Sequence, residues 1–283
     1  MLEIRSLEEA QQTFSTQRKC ESYLAEKRWP NGVTCPRCGA KHPAYMPAYR
    51  KWYCKHCDYQ FSVTAGTIFH ATKLPLTKWM IAVWLLCHSP KGCSAKQLER
   101  ILGVHYETAW SMAHRIRKAM ARDAYMQDLN GTVEVDDAVV KADGGHATGN
   151  VTYQAKNVVG LTSRDTGALR MVVVNTLQKK DIRHVVIKNL GEVRELVTDA
   201  TSRYKFMGDI APHRFVAHFI SHCEGGVHTN FIENAWSLFK RGLIGMFHHV
   251  SAKHLQAYLD EFAFRYSHRH EKGALFDLVL ASC

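Results

Sequence analysis

Residues 132–140 read Thr132-Val133-Glu134-Val135-Asp136-Asp137-Ala138-Val139-Val140, an apolar, largely β-branched run interrupted by three carboxylates. Its composition and length predict a strand. Working outward, residues 155–162, 169–174 and 195–198 carry the same pattern, with a helical stretch at 180–190 and a helix at about 229–241. Upstream the pattern is helical: 77–87, 94–102 and 105–120, broken at Pro90-Lys91-Gly92 and at Gly103. The chain therefore divides into a mostly helical front and a mixed α/β back.

Composition narrows the class. The 283 residues are 46% hydrophobic and 22% charged, ordinary for a folded soluble protein. The longest apolar run, 79–87, is nine residues, well short of the roughly 20 that span a bilayer, and the N-terminus has no secretory pattern. A cytoplasmic, nucleoid-associated protein with no membrane partner is expected. The net charge of +11 is uneven, with 19 Lys/Arg against 10 Asp/Glu in residues 1–130 and 18 against 16 in 131–283. A basic front suits a polyanion, since each neutralised phosphate releases counterions.

Nine cysteines in a cytosolic chain point to metal rather than to a disulfide framework. Cys35-Pro-Arg-Cys38 is followed after fifteen residues by Cys54-Lys-His-Cys57, the paired-knuckle spacing of a four-cysteine zinc site. Four thiolates leave no open coordination position, so the role is structural. Such a Zn2+ contributes roughly 10–16 kcal/mol to folding a unit of this size. Cys20, Cys87, Cys93, Cys223 and Cys283 have no partner at ligand spacing and are read as core or incidental thiols. Gly103-Val104 forms the short turn of a helix-turn-helix, with Ser94 as an N-cap. The third helix is expected to enter a DNA groove through Arg115, Arg117 and Lys118 while Ala109, Met112, Ala113 and Ile116 pack behind.

Three strands, a helix and a further strand fit a ribonuclease-H-like mixed-sheet core. In that arrangement the active carboxylates lie at the ends of adjacent central strands and on a following helix. Asp136, Asp199 and Glu233 stand at those places. Periodicity leaves Asp136 and Asp137 both open as the first, because a central strand can be buried on both faces. Three converging carboxylates suit two hard divalent cations, Mg2+ or Mn2+, about 3.5–4 Å apart, which clamp the attacking and leaving oxygens of a phosphodiester.

The run Val227-His-Thr-Asn-Phe-Ile-Glu-Asn-Ala-Trp-Ser-Leu-Phe-Lys-Arg-Gly242, continuing through His248-His-Val-Ser251 and Lys253-His-Leu255 to Tyr258-Leu-Asp-Glu-Phe-Ala-Phe-Arg265, closely resembles one group of bacterial insertion-sequence transposases. That group has a zinc ribbon and a DDE core followed by lysine, and is related to Merlin elements. The resemblance covers nearly the whole chain and implies Asp136, Asp199 and Glu233 as the triad and Lys240 as the added DNA-contacting base. Lys240 follows Glu233 by seven residues, on one helical face. Two departures stand out: Asp137 replaces the Glu that usually follows the first Asp, and Val139-Val-Lys-Ala-Asp143 replaces a glycine-rich stretch. Trp236, Leu238 and Phe239 are expected to be core rather than base-stacking residues.

The implied domains are a helical segment at 1–30, a zinc ribbon at 31–66, a helix-turn-helix region at 67–129 and a catalytic domain at 130–283. The implied function is metal-dependent cleavage and transfer of terminal inverted repeats into target DNA, by a homo-oligomer on double-stranded DNA. The rival readings are a ribonuclease-H-like nuclease without strand transfer and a noncatalytic DNA-binding regulator.

Overall fold

The computed structural model describes residues 4–121, 128–147, 150–216, 228–271 and 274–281; side chains are described outside 143–152 and 274. It separates into two compact units.

The first unit contains α1 (Leu7–Thr13), α2 (Gln17–Arg28), a three-stranded antiparallel sheet of β1 (Ala44–Met46), β2 (Lys51–Cys54) and β3 (Tyr59–Phe61), and then α3 (Leu76–His88), α4 (Ala95–Leu102) and α5 (Tyr106–Met120). α3 is apolar on every side, burying Leu76, Trp79, Met80 and the seven residues that follow. A helix hydrophobic all round must be surrounded, and α1, α2, α4 and α5 all pack on it. Ser94 caps α4 by accepting the Gln97 N–H, as its sequence position foretold, and Gly103 ends that helix at φ +57. A left-handed residue there lets the chain turn directly into α5.

The C-terminal helix α9 (Ala274–Ala281) also belongs to this unit. Tyr23 Oη and Lys27 Nζ of α2 donate to the two carboxylate oxygens of Asp277 at 2.6 and 2.7 Å. Cys20, Cys87 and Cys93 are buried thiols, as expected. Cys223 and Cys283 lie outside the described residues.

The second unit is a five-stranded mixed sheet in the order β6-β5-β4-β7-β8. β4 (Leu129–Ala147), β5 (Asn150–Ser163) and β6 (Leu169–Val174) run antiparallel in sequence, whereas β7 (Leu190–Asp199) and β8 (His213–Val216) lie parallel to β4 and to each other. A parallel partner needs a crossover, and α6 (Lys179–Asn189) supplies it. This is the ribonuclease-H-like mixed sheet. The strand β8 has no counterpart in the sequence reading, since four residues with one apolar alternation give too little pattern.

Both faces are covered, which is why the β4 sequence does not alternate cleanly. Val133, Val135, Val159 and Leu161 pack with Ile182 and Val186 of α6 and with Tyr204 and Met207 of a 3-10 turn at Ser202–Asp209. On the other face Val140, Val158 and Met171 meet α7 (Asn230–Gly242) and α8 (Leu255–Ser267) through Ile232, Trp236, Phe239 and Leu259. No helix among the described residues is long and apolar enough to cross a membrane.

Candidate active site and metal centre

The period of two along β4 sorts its carboxylates. Val133 and Val135 face α6, so Glu134 and Asp136 face α7, and Asp137 faces the 3-10 turn. In the parallel ladder Glu134 lies opposite Val197. Two residues on, Asp136 and Asp199 lie at the same level of adjacent strands and on the same face.

Arginines distinguish these groups. Asp137 accepts Arg203 Nη1 at 2.6 Å and the Tyr204 hydroxyl, whose phenol is pushed well above its ordinary pKa by burial and by that bond. Glu134, fully buried, accepts Arg164 Nε at 2.7 Å and the Ile232 backbone N–H at 2.9 Å. Among the described residues neither Asp136 nor Asp199 has an ion-pair partner. Asp136 is instead pushed up to about 6, first by burial and then by the neighbouring charges of Asp137 and Asp199; the Asp137 backbone N–H and the Trp236 indole act against that rise. Of four carboxylates at this end of the sheet, two are neutralised by arginines, while Asp136 meets the Trp236 indole of α7 and Asp199 accepts the Thr201 N–H and hydroxyl. That all-oxygen pair fits a hard divalent cation.

Glu233 lies on α7, exposed, and accepts the Thr229 hydroxyl at 2.6 Å. Its helix is anchored directly over Asp136. Trp236 Nε1 donates to Asp136 Oδ2 at 3.1 Å, and Glu134 holds the first turn through Ile232. Gly160, opposite Asp136 in the ladder, makes the approach feasible: a Cβ there would stand 2.6 Å from Trp236 Cζ2 and 2.9 Å from Ile232 Cδ1. Glu233 thus stands on the helix that packs over Asp136, one residue after Ile232 and three before Trp236; among the described residues only the four cysteines bring three or more metal-ligating atoms within 4.8 Å of one another. Lys240 is exposed two turns beyond Glu233 on α7.

The Glu134 anchor has no signature in the sequence beyond Glu134 sharing a strand face with Asp136. Arg164 arrives from the end of β5 and also donates to the His228 carbonyl oxygen, while His228 Nδ1 stands 3.3 Å from Glu134 Oε1. Glu134→Ala should lower stability by about 3–5 kcal/mol, since it removes the buried carboxylate to which both Arg164 Nε and the Ile232 N–H donate. Urea unfolding checks this; a loss under 1 kcal/mol would show that the anchor does not hold α7.

In the first unit, Cys35, Cys38, Cys54 and Cys57 bring four sulfurs within 4.8 Å of one another. The Cys35–Cys57 and Cys38–Cys54 separations are 3.7 and 3.6 Å, against the roughly 3.8 Å edge of a tetrahedron with metal–sulfur bonds of about 2.3 Å. Burial opposes ionisation of Cys35, but the Arg37 and Cys38 backbone N–H groups and the neighbouring thiols outweigh it and lower its thiol to about 7. Burial and thiol contacts push Cys57 up to about 12. One thiol poised to ionise among three close neighbours is a donor set a cation completes. Trp29, Trp52 and Tyr59 pack around Phe61 as a small aromatic cap.

The basic residues of α5 are placed differently from the sequence reading. Arg117 is 1% exposed, among the packing residues of the helix rather than on its outer face. Arg115 donates to the His70 carbonyl at 2.9 Å and lies over the Trp79 ring. The Arg115 guanidinium is held there because α3 and the segment before it offer it an aromatic face and a carbonyl. The exposed face of α5 carries Tyr106, Glu107, Ser111 and Lys118.

Two family models match the chain: an ISXO2-like transposase domain over residues 128–267 and a transposase zinc-ribbon domain over 15–60. An uncharacterized protein in transposable element ISH50 of Halobacterium salinarum is 30% identical over 274 residues, covering 89% of this chain and 92% of that one. A chain of the simian T-cell lymphotropic virus intasome, solved in complex with PP2A regulatory subunit B56 gamma, is 12% identical at a TM-score of 0.31. That likeness covers 63% of this chain and 66% of the other.

Proposed function

Given that this chain belongs to the ISXO2-like insertion-sequence transposases, with their zinc ribbon and DDE domain, we propose that it holds its element's terminal inverted repeats with the first unit and cuts and joins DNA with the second. The observation that carries the catalytic part is the pairing of Asp136 and Asp199 on adjacent parallel strands, facing α7, without an arginine between them. With Glu233 they are the residues to hold Mg2+ or Mn2+; such ions, when bound, neutralise the phosphate and stabilise both the attacking and the leaving oxygen. The chain's own contributions are to present these oxygens at one edge, to keep Arg164 and Arg203 engaged with Glu134 and Asp137, and to bring Lys240 near a terminal phosphate. Lys240 acts as a point charge and not as a ligand, because an ammonium has only donors.

In the first unit the four sulfurs hold Zn2+ as a structural ion, and α4 and α5 act as a helix-turn-helix. The groove-facing residues are then Tyr106, Ser111 and Lys118 rather than the arginines. Pairing two element ends calls for at least two copies of the chain on DNA, acting in the cytoplasm on the nucleoid.

Incubating the purified protein with labelled terminal-repeat DNA, Mg2+ and a target plasmid tests this reading through joined products. Cleavage alone would make it a nuclease, and binding alone a regulator. In the same preparation Lys118→Ala should weaken binding across sequences and reduce the salt slope by about one. Arg117→Ala should instead lower the melting temperature of the free protein. An unchanged slope for Lys118→Ala would move the DNA interface off α5.

A further inference from the structure

We propose that Trp236 is a positioning residue for the catalytic carboxylate Asp136, holding that side chain by its indole N–H for cation binding. The inference rests on reading Asp136 as a metal ligand. Trp236 looks like a core residue by composition, and at 5% exposure most of it is one. Its polar atom is different. A buried indole N–H must find an acceptor, and the acceptor here is Asp136 Oδ2 at 3.1 Å.

Three distant positions make this contact. Asp136 lies on β4, Gly160 faces it across the ladder on β5, and Trp236 descends from α7 into the space that Gly160 leaves. Any side chain at 160 would meet the Trp236 ring at 2.6 Å, so the glycine sets the depth of the ring and hence of the N–H. Glu134, accepting the Ile232 N–H, fixes the same helix one turn earlier. Glu233 lies between these two attachment points, so the contact that orients Asp136 also sets the level at which the third carboxylate stands.

A carboxylate held through one oxygen loses less freedom when it binds a cation. Partners of this kind typically contribute 10- to 100-fold to metal affinity. The arrangement also accounts for a tryptophan rather than a phenylalanine here, since only the indole has a donor.

The test uses the full-length, zinc-loaded protein. Trp236→Phe keeps most of the packing and removes the donor. Incorporating benzothienylalanine at 236 replaces N–H by sulfur with the ring shape kept, so it decides the question even if the Phe protein folds poorly. The readouts are Mn2+ affinity by electron paramagnetic resonance, the Mg2+ concentration for half-maximal cleavage, metal-free binding of terminal-repeat DNA, and melting temperature.

Mn2+ affinity about tenfold weaker, with Mg2+ dependence shifted to match, with metal-free DNA binding of the benzothienylalanine protein unchanged and with that protein still folded at the assay temperature, supports the inference. Mn2+ affinity and Mg2+ dependence within twofold of the unsubstituted protein overturn it. Asp136→Asn, run in parallel, separates the two claims. If it too binds Mn2+ and cleaves normally, the reading of Asp136 as a ligand fails; if it loses both while the Trp236 proteins do not, only the role of Trp236 fails.

Discussion

Alanine at Asp136, Asp199 or Glu233 should remove cleavage and joining of terminal-repeat DNA, by more than about a thousandfold, and leave end binding in place. Each ligand supports several kcal/mol of charge stabilisation in the reacting phosphate, and about 4 kcal/mol is already a thousandfold in rate. Affinity, in contrast, comes mainly from basic residues elsewhere. At Asp136 the cleaner change is Asn, because Ala would strand the Trp236 N–H, at a cost of about 1–3 kcal/mol. Asp137→Asn is the informative companion. Its carboxylate is bound to Arg203 and Tyr204 on the opposite face, so that protein should lose stability and keep its activity. Full strand transfer by the Glu233→Ala protein, or loss of end binding with loss of cleavage, would refute the assignment.

The ribbon should be equally sensitive, through folding rather than chemistry. Its apolar cluster consists of Cys35, Cys54, Phe61 and Ala65, with Trp29, Trp52 and Tyr59 partly buried against them. Two of those four buried residues belong to the cluster of four cysteines. With so little core, the roughly 10–16 kcal/mol that a structural zinc contributes would be most of what holds the module together. Chelation, or Ser at any one of the four cysteines, should therefore expose residues 29–65 to rapid amide exchange and release the metal. The strands β4 to β8 should keep their protection. Elemental analysis showing no zinc in unchelated protein, or a ribbon still protected after chelation, would contradict this.

The largest revision to the sequence reading concerns basic residues. Arg115, Arg117 and Lys118 lie within four positions of one another, and composition treats them alike. The packing of α5 does not, since a helix turns 100° per residue and neighbouring side chains reach different surroundings. Arg117 is buried, Arg115 is tied to His70 and Trp79, and only Lys118 is exposed. Asp136 and Asp137 are a similar case. With both sheet faces covered, local pattern cannot rank them, yet one faces an indole and the other an arginine.

What the sequence by itself determined are properties written in short-range order: paired cysteines at ligand spacing, the strand at 132–140, the Ser94 cap and Gly103 break of the helical front, and a helix motif around Glu233 specific enough to place the family. These survive because each depends on residues a few positions apart, whose geometry the backbone periods dictate. What only the tertiary structure decided are pairings over long separations. Glu134 meets Arg164 and Ile232, Asp136 meets Trp236 one hundred residues on, and Asp277 closes on Tyr23 so that the last helix joins the first unit. No local preference encodes which buried charge will find which partner. That choice is made when packing excludes water, and an unpaired buried charge or N–H becomes more costly than ordering a distant group to meet it.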